Sequence, residues 1–122
     1  MATKIKVTNY DGANTLKRFT QFGDGALKPE PPIAPGQSAE LTLSSAGPGA
    51  HTVLELTASA ELLLPIQNPT YSLPRTLRAQ VQKRDAKSKE WERIESHFIA
   101  PREVINITLK GPTRIVLSEM PT

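Results

Sequence analysis

Ile33-Ala34-Pro35-Gly36-Gln37-Ser38-Ala39-Glu40-Leu41-Thr42-Leu43 decides the fold, because the chain says it again as Ile99-Ala100-Pro101-Arg102-Glu103-Val104-Ile105-Asn106-Ile107-Thr108-Leu109. Ile, Ala, Pro, Thr and Leu coincide, five of the eleven aligned positions. In each copy a proline stands at the mouth of an alternating run, where its missing N–H costs no ladder hydrogen bond. Ala39, Leu41 and Leu43 share one parity; Ser38, Glu40 and Thr42 share the other. A period of two is the signature of a half-buried strand. Each copy then meets a Gly-Pro turn (Gly47-Pro48, Gly111-Pro112) and a second apolar run, His51-Thr52-Val53-Leu54 or Thr113-Arg114-Ile115-Val116-Leu117. The pattern predicts a hairpin made twice. Two pseudo-repeated halves are one arrangement it allows; two unrelated segments obeying the same strand-entry rule are the other.

The flanking sequence keeps the same period. Ile5 and Val7 alternate with Lys4, Lys6 and Thr8, and Asp11-Gly12 marks a turn after them. Residues 15–22 fit a strand or a short helix, and the β company favours the strand. Leu54, Leu56, Ala58, Ala60, Leu62 and Leu64 hold one parity, which predicts one long strand bent at Ala58-Ser59-Ala60, with a short helix over 59–64 as the rival. Leu77, Ala79 and Val81 alternate with Arg78, Gln80 and Gln82. A polar tip, Asp85 to Lys89, turns the chain into a strand opened by Trp91, and strands over 103–110 and 113–119 follow. The expected fold is a single antiparallel β-sandwich domain over 1–122, jelly-roll or Ig-like, with seven to eight short strands. Its predicted core is Leu41, Leu43, Leu54, Leu56, Ile105, Ile107, Ile115 and Leu117.

Composition narrows the chemistry. The chain has 122 residues, a formal charge of +3, eleven prolines and no cysteine. Disulfides, iron–sulfur clusters and thiolate zinc sites are excluded. Proline at about twice its usual share suits short strands and stiff loops and opposes long helices. The opening residues lack an apolar segment, so no secretory signal is expected, and Leu62-Leu63-Leu64-Pro65-Ile66 is too short to span a bilayer. A cytoplasmic or virion location is expected.

No catalytic, cofactor or metal motif appears. His51 and His97 are the two histidines, and neither lies in a nucleophile or His-x-x-x-His context. Glu90, Glu92 and Glu95 alternate with Lys89 and Arg93 as a solvated, ion-laced face does. The protein is therefore read as a non-enzyme without cofactor.

Charge concentrates instead. Residues 75–102 hold Arg75, Arg78, Lys83, Arg84, Lys87, Lys89, Arg93 and Arg102 against Asp85, Glu90, Glu92 and Glu95. Arg78, Gln80, Gln82 and Arg84 share a parity on one strand; Trp91, Arg93, Glu95 and His97 share one on the next. With Lys87 and Lys89 at the tip, these residues form a candidate partner face, since Trp and Arg are enriched at interface hot spots. Few aromatics interleave with the basic residues, which argues against nucleic acid. Residues 28–35 and 65–74 read as stiff polyproline-like arms, and Pro65, Ile66 and Tyr71 are candidate docking residues. The expectation is a structural or accessory subunit working through protein–protein contacts, by self-association or in a larger assembly of the virion-component or decoration-protein type. The alternative is a carbohydrate-binding module using Trp91 with Arg93 and Gln82.

Overall fold

The computed structural model describes residues 3–21, 26–43, 51–57, 61–68 and 76–119. These residues form ten strands and no helix: β1 (Thr3–Thr8), β2 (Leu16–Gln21), β3 (Leu27–Ile33), β4 (Ser38–Leu43), β5 (His51–Leu56), β6 (Glu61–Gln67), β7 (Leu77–Arg84), β8 (Trp91–Ile99), β9 (Val104–Lys110) and β10 (Thr113–Glu119). A four-stranded sheet has the order β4-β1-β6-β9 and a six-stranded sheet the order β3-β2-β5-β10-β7-β8. Every pairing is antiparallel.

The alternation read from the sequence builds one core between the sheets. Ile5, Val7, Leu41, Leu62, Leu64, Ile66, Ile107 and Leu109 of the four-stranded sheet join Leu16, Leu54, Leu56, Leu77, Ala79, Val81, Ile115 and Leu117 of the six-stranded one in a single buried cluster. The architecture is sandwich-like, with β5, β6, β7 and β10 giving every second side chain to the interior and the edge strands β3 and β8 burying only Ile33 and Ile99. Six of the eight expected core residues are buried there. Ile105 is partly buried against the cluster, and the side chain of Leu43 lies outside the described residues.

Four expectations need correction. The described residues alone form ten strands, not seven or eight. The repeated phrase does not make hairpins: β4 and β9 belong to the four-stranded sheet, β5 and β10 to the six-stranded one. Alternation reveals which face of a strand is apolar, but not which sheet receives it. For the same reason the long strand expected over 54–64 is two strands, β5 and β6, in different sheets, its expected bend falling on residues outside the described set. The first proline arm is also a strand. Leu27 to Ile33 pairs with β2 through Leu16↔Ile33 and Phe19↔Pro29. Pro29, Pro31 and Pro32 fit because β3 is an edge strand, where a missing donor is tolerated.

The repeat itself runs through the whole structure. Exchanging β1–β5 with β6–β10 leaves both strand orders unchanged. Ile5↔Leu41 in one half answers Leu64↔Ile107 in the other, and Leu16↔Ile33 answers Leu77↔Ile99. The pairs Val7↔Ile66 and Val53↔Val116 map onto themselves, so a pseudo-twofold axis passes through both. At the phrase itself, Gly36 N donates to Asn9 O (2.8 Å) and Arg102 N to Asn68 O (2.8 Å). Gly36 and Arg102 both have positive φ, 76° and 68°. Glycine accepts that conformation freely, whereas arginine holds it at a cost.

Two turns are held by aspartates. Asp11 Oδ1 accepts from the backbone of Ala13 (2.7 Å) and Asn14 (2.8 Å); Asp85 Oδ1 accepts from Lys87 (2.8 Å) and Ser88 (2.9 Å). These bonds favour the ionised form and hold both carboxyls below the usual aspartate range, the Ala13 bond leading for Asp11 and the Ser88 bond for Asp85. A carboxyl whose folded pKa is depressed stabilises the fold above its unfolded pKa of about 3.9 and loses that contribution as pH falls through the folded value. Acid titration followed by NMR should therefore show both turns keeping their ionised geometry down to a pH below that range. Amide shifts of Ala13 and Ser88 that titrate at the ordinary aspartate value would contradict it.

Candidate partner-binding face

The outer face of the six-stranded sheet collects most of the residues singled out in the sequence. Register sets their neighbours. Arg84 pairs with Trp91 and Gln82 with Arg93, so these four share a face with Gln80 and Arg78. The sequence parity holds only to Arg93. Gln82↔Arg93 is followed by Val81↔Glu95, leaving Ile94 as an extra residue. This β-bulge flips the remainder of β8. Glu95 and His97 pair with Val81 and Ala79, whose side chains point to the core, and so fall on the opposite face from Trp91 and Arg93. There His97 Nε2 lies 3.0 Å from Glu95 Oε2. Both remain accessible because β8 is the outer edge of the wider sheet.

Arg114 is the residue that sequence reasoning missed. Its guanidinium carbon lies 4.3 Å from the Trp91 ring centroid, and its Nε donates to Gln82 Oε1 (2.6 Å). Gln82 Nε2 in turn donates to Gln80 Oε1 (3.0 Å). Burial lowers the Arg114 pKa and the nearby Glu55 carboxylate opposes that shift. The available signal was the parity of 113–119, which places Arg114 opposite the apolar Ile115 and Leu117. These long side chains form a thin second layer, and Val53 is 0% exposed beneath it although it is on the outer face. Stems of arginine and glutamine cover apolar surface in this way while their heads stay polar.

The remaining predicted residues scatter. Lys87 and Lys89 are exposed at the β7–β8 tip as expected. Pro65 and Ile66 are not on an arm: they pair with Asn106 and Ile105 inside β6, and Ile66 is wholly buried. No partner can reach Ile66 without opening the core. Tyr71 lies outside the described residues. His51 and His97 do not meet. Their strands are separated by β10 and β7, a span of about 14 Å at ordinary strand spacing, and their side chains occupy opposite faces. Among the described residues there is no cluster of three or more potential metal ligands, and no helix long and apolar enough to cross a membrane.

A shallow cavity of about 270 Å³ also opens on this face, lined by Gln21, His51, Arg78, Gln80, Gln82, Val116 and Ser118. It straddles the pseudo-twofold axis at Val116. No protein-family model matches the chain, and no curated protein is significantly similar to it in sequence.

Proposed function

We propose that the protein is a non-enzymatic accessory subunit that works through protein–protein contacts in a larger assembly, with β8 as the docking edge. The observation that carries this reading is a contrast between the two edges of the six-stranded sheet. The halves are equivalent in topology, yet β3 is closed to pairing by Pro29, Pro31 and Pro32 while β8 carries no proline over nine residues. Ile94 and Phe98 stand 51% and 57% exposed on β8. Native edges are usually blunted against added strands. An unblocked edge with apolar side chains beside an Arg–Trp layer is suited to strand addition by a partner. At the finer level we read the winding as jelly-roll rather than Ig-like, because β4 returns beside β1 and β9 beside β6, giving two Greek-key returns. The carbohydrate alternative loses the support it drew from Trp91, since Arg114 already lies over that ring.

The test is association. Light scattering across a concentration series, with crosslinking in the native source, should reveal a complex through β8. Ile94→Lys with Phe98→Lys should abolish it while leaving the melting temperature nearly unchanged, because exposed substitutions typically stay within about 0.5 kcal/mol. Lys87→Glu with Lys89→Glu should slow association in a salt-dependent way if the partner surface is acidic. A chain that stays monomeric and captures no protein would overturn the proposal.

A further inference from the structure

We propose that the cavity around Ser118 is a binding site for the carboxylate of a small organic acid. The argument comes from comparing the two halves residue by residue. Across the outer face, Glu55 stands between Lys17 on β2 and Arg114 on β10. The pseudo-twofold axis carries Lys17 to Arg78, Glu55 to Ser118 and Arg114 to His51. Ser118 is register partner to Arg78, and the antiparallel register that pairs Leu117 with Thr52 brings it beside His51. One half therefore has a carboxylate between two cationic side chains. The other has an arginine and a histidine with a serine where the carboxylate would be, and a cavity in front of it.

Among the described residues, two nitrogen atoms at this site lack a partner. Arg78 Nε and His51 Nδ1 are both shielded from solvent and have no hydrogen-bond partner among the described residues. None of the described residues that line the cavity is an Asp or Glu. Withdrawing a cation from water without a partner is unfavourable, and an arriving anion reverses that penalty. A second guanidine nitrogen without a partner among the described residues, Arg18 Nε, lies in a different cavity, and that one does contain a carboxylate, Glu30. The Arg78 site is set apart by having none among its described lining residues.

The geometry selects the ligand class. A carboxylate has the charge and size of the Glu55 head group it would replace, and a guanidinium binds it through paired N–H donors. The Ser118 hydroxyl and the amides of Gln21 and Gln80 offer further hydrogen bonds, and Val116 gives the cavity an apolar side. The volume is smaller than that of a typical drug-sized pocket, which limits the ligand to a short acid.

The experiment is an NMR titration of the intact chain with sodium propionate and sodium glucuronate, with sodium phosphate and chloride as comparators at constant ionic strength. Saturable shifts are expected at the Arg78 Nε–H and the amides of His51, Gln80 and Ser118, and with carboxylates only. Arg78→Gln should weaken binding by roughly tenfold or more. Ser118→Glu should supply the missing carboxylate in cis, raising the melting temperature and eliminating the shifts. The absence of saturable shifts, an equal response to phosphate, or binding that survives both substitutions would overturn the proposal. Ile94→Lys alone, which spares the Phe98 that pairs with Arg78, should weaken association and leave these titrations unchanged, so the two proposals fail separately.

Discussion

Leu56→Ala should be among the most damaging single substitutions in this protein, costing about 2–5 kcal/mol. Leu56 is 0% exposed, lies on β5 near the middle of the six-stranded sheet, and belongs to the cluster that both sheets share. Its register partner Thr113 and the flanking strands are fixed by ladder hydrogen bonds, so the space left by the lost methyl groups cannot readily collapse. For a domain of this size each kcal/mol corresponds to a few degrees, and the melting temperature should fall by about 10 °C or more. The control is its neighbour. Glu55 points outward, with Arg114 and Lys17 as its register partners, and even a close ion pair at such a partly exposed position contributes about 0–1 kcal/mol. Glu55→Ala should therefore shift the melting temperature by a small fraction of the Leu56 effect. Thermal unfolding of the two variants measures the difference, and equal losses would mean that the inward and outward faces of β5 are reversed.

That face assignment was legible in the sequence because it depends only on a period of two. Leu41, Leu54, Leu56, Ile107, Ile115 and Leu117 were all placed correctly on that basis. What alternation does not encode is the destination of a strand. Leu54 to Leu64 reads as unbroken because both sheets bury the same parity, and the crossing between sheets leaves the parity intact. Prolines misled in a related way. Pro29, Pro31 and Pro32 look like a polyproline arm until β2 is seen to pair with that edge segment, with Pro31 and Pro32 falling in the register shift. Pro65 sits within β6 opposite Asn106, again looking irregular only from sequence.

The candidate site was legible up to one residue. Arg78, Gln80, Gln82, Arg84, Trp91 and Arg93 do share a face, as their parities imply. The bulge at Ile94 then breaks the count, and a bulge depends on how two strands twist against each other rather than on local composition. Arg114 escaped because it lies on the partner strand β10, distant in sequence from the basic segment. The equivalence of Ser118 and Glu55 was invisible for a deeper reason. It appears only when Ser118 is superposed on Glu55 through an axis that the registers of four separate strand pairs define.

The same axis defines the second large effect. Asn9 and Asn68 directly follow β1 and β6, and both are wholly buried. Each clasps the repeated phrase: Asn9 Nδ2 donates to Ile33 O (3.0 Å) and Asn68 Nδ2 to Ile99 O (2.9 Å). Their backbone amides donate to Gln37 O and Glu103 O, both at 2.9 Å. Asn9 also donates to Asn14 O (2.7 Å) and accepts from Asp11 N (3.0 Å). An alanine keeps the backbone bonds but strands these side-chain partners, and each buried group left unsatisfied costs about 1–3 kcal/mol. Asn9→Ala should accordingly cost roughly 2–4 kcal/mol and Asn68→Ala a comparable amount. The two residues lie on opposite sides of the Val7↔Ile66 pair in antiparallel strands, about 13 Å apart at ordinary strand rise. Their costs should add within about 0.5 kcal/mol in the double variant. Asn9→Asp sharpens the test. An ionised carboxylate would face two carbonyl oxygens, so burial and that repulsion raise its folded pKa above the unfolded one. The variant should be least stable at neutral pH and should recover as pH falls through the raised pKa, where the protonated acid can donate to one carbonyl. Denaturant unfolding at neutral and mildly acidic pH measures this. An Asn9→Asp variant as stable as the parent at neutral pH would mean that the clasp does not hold the phrase in place.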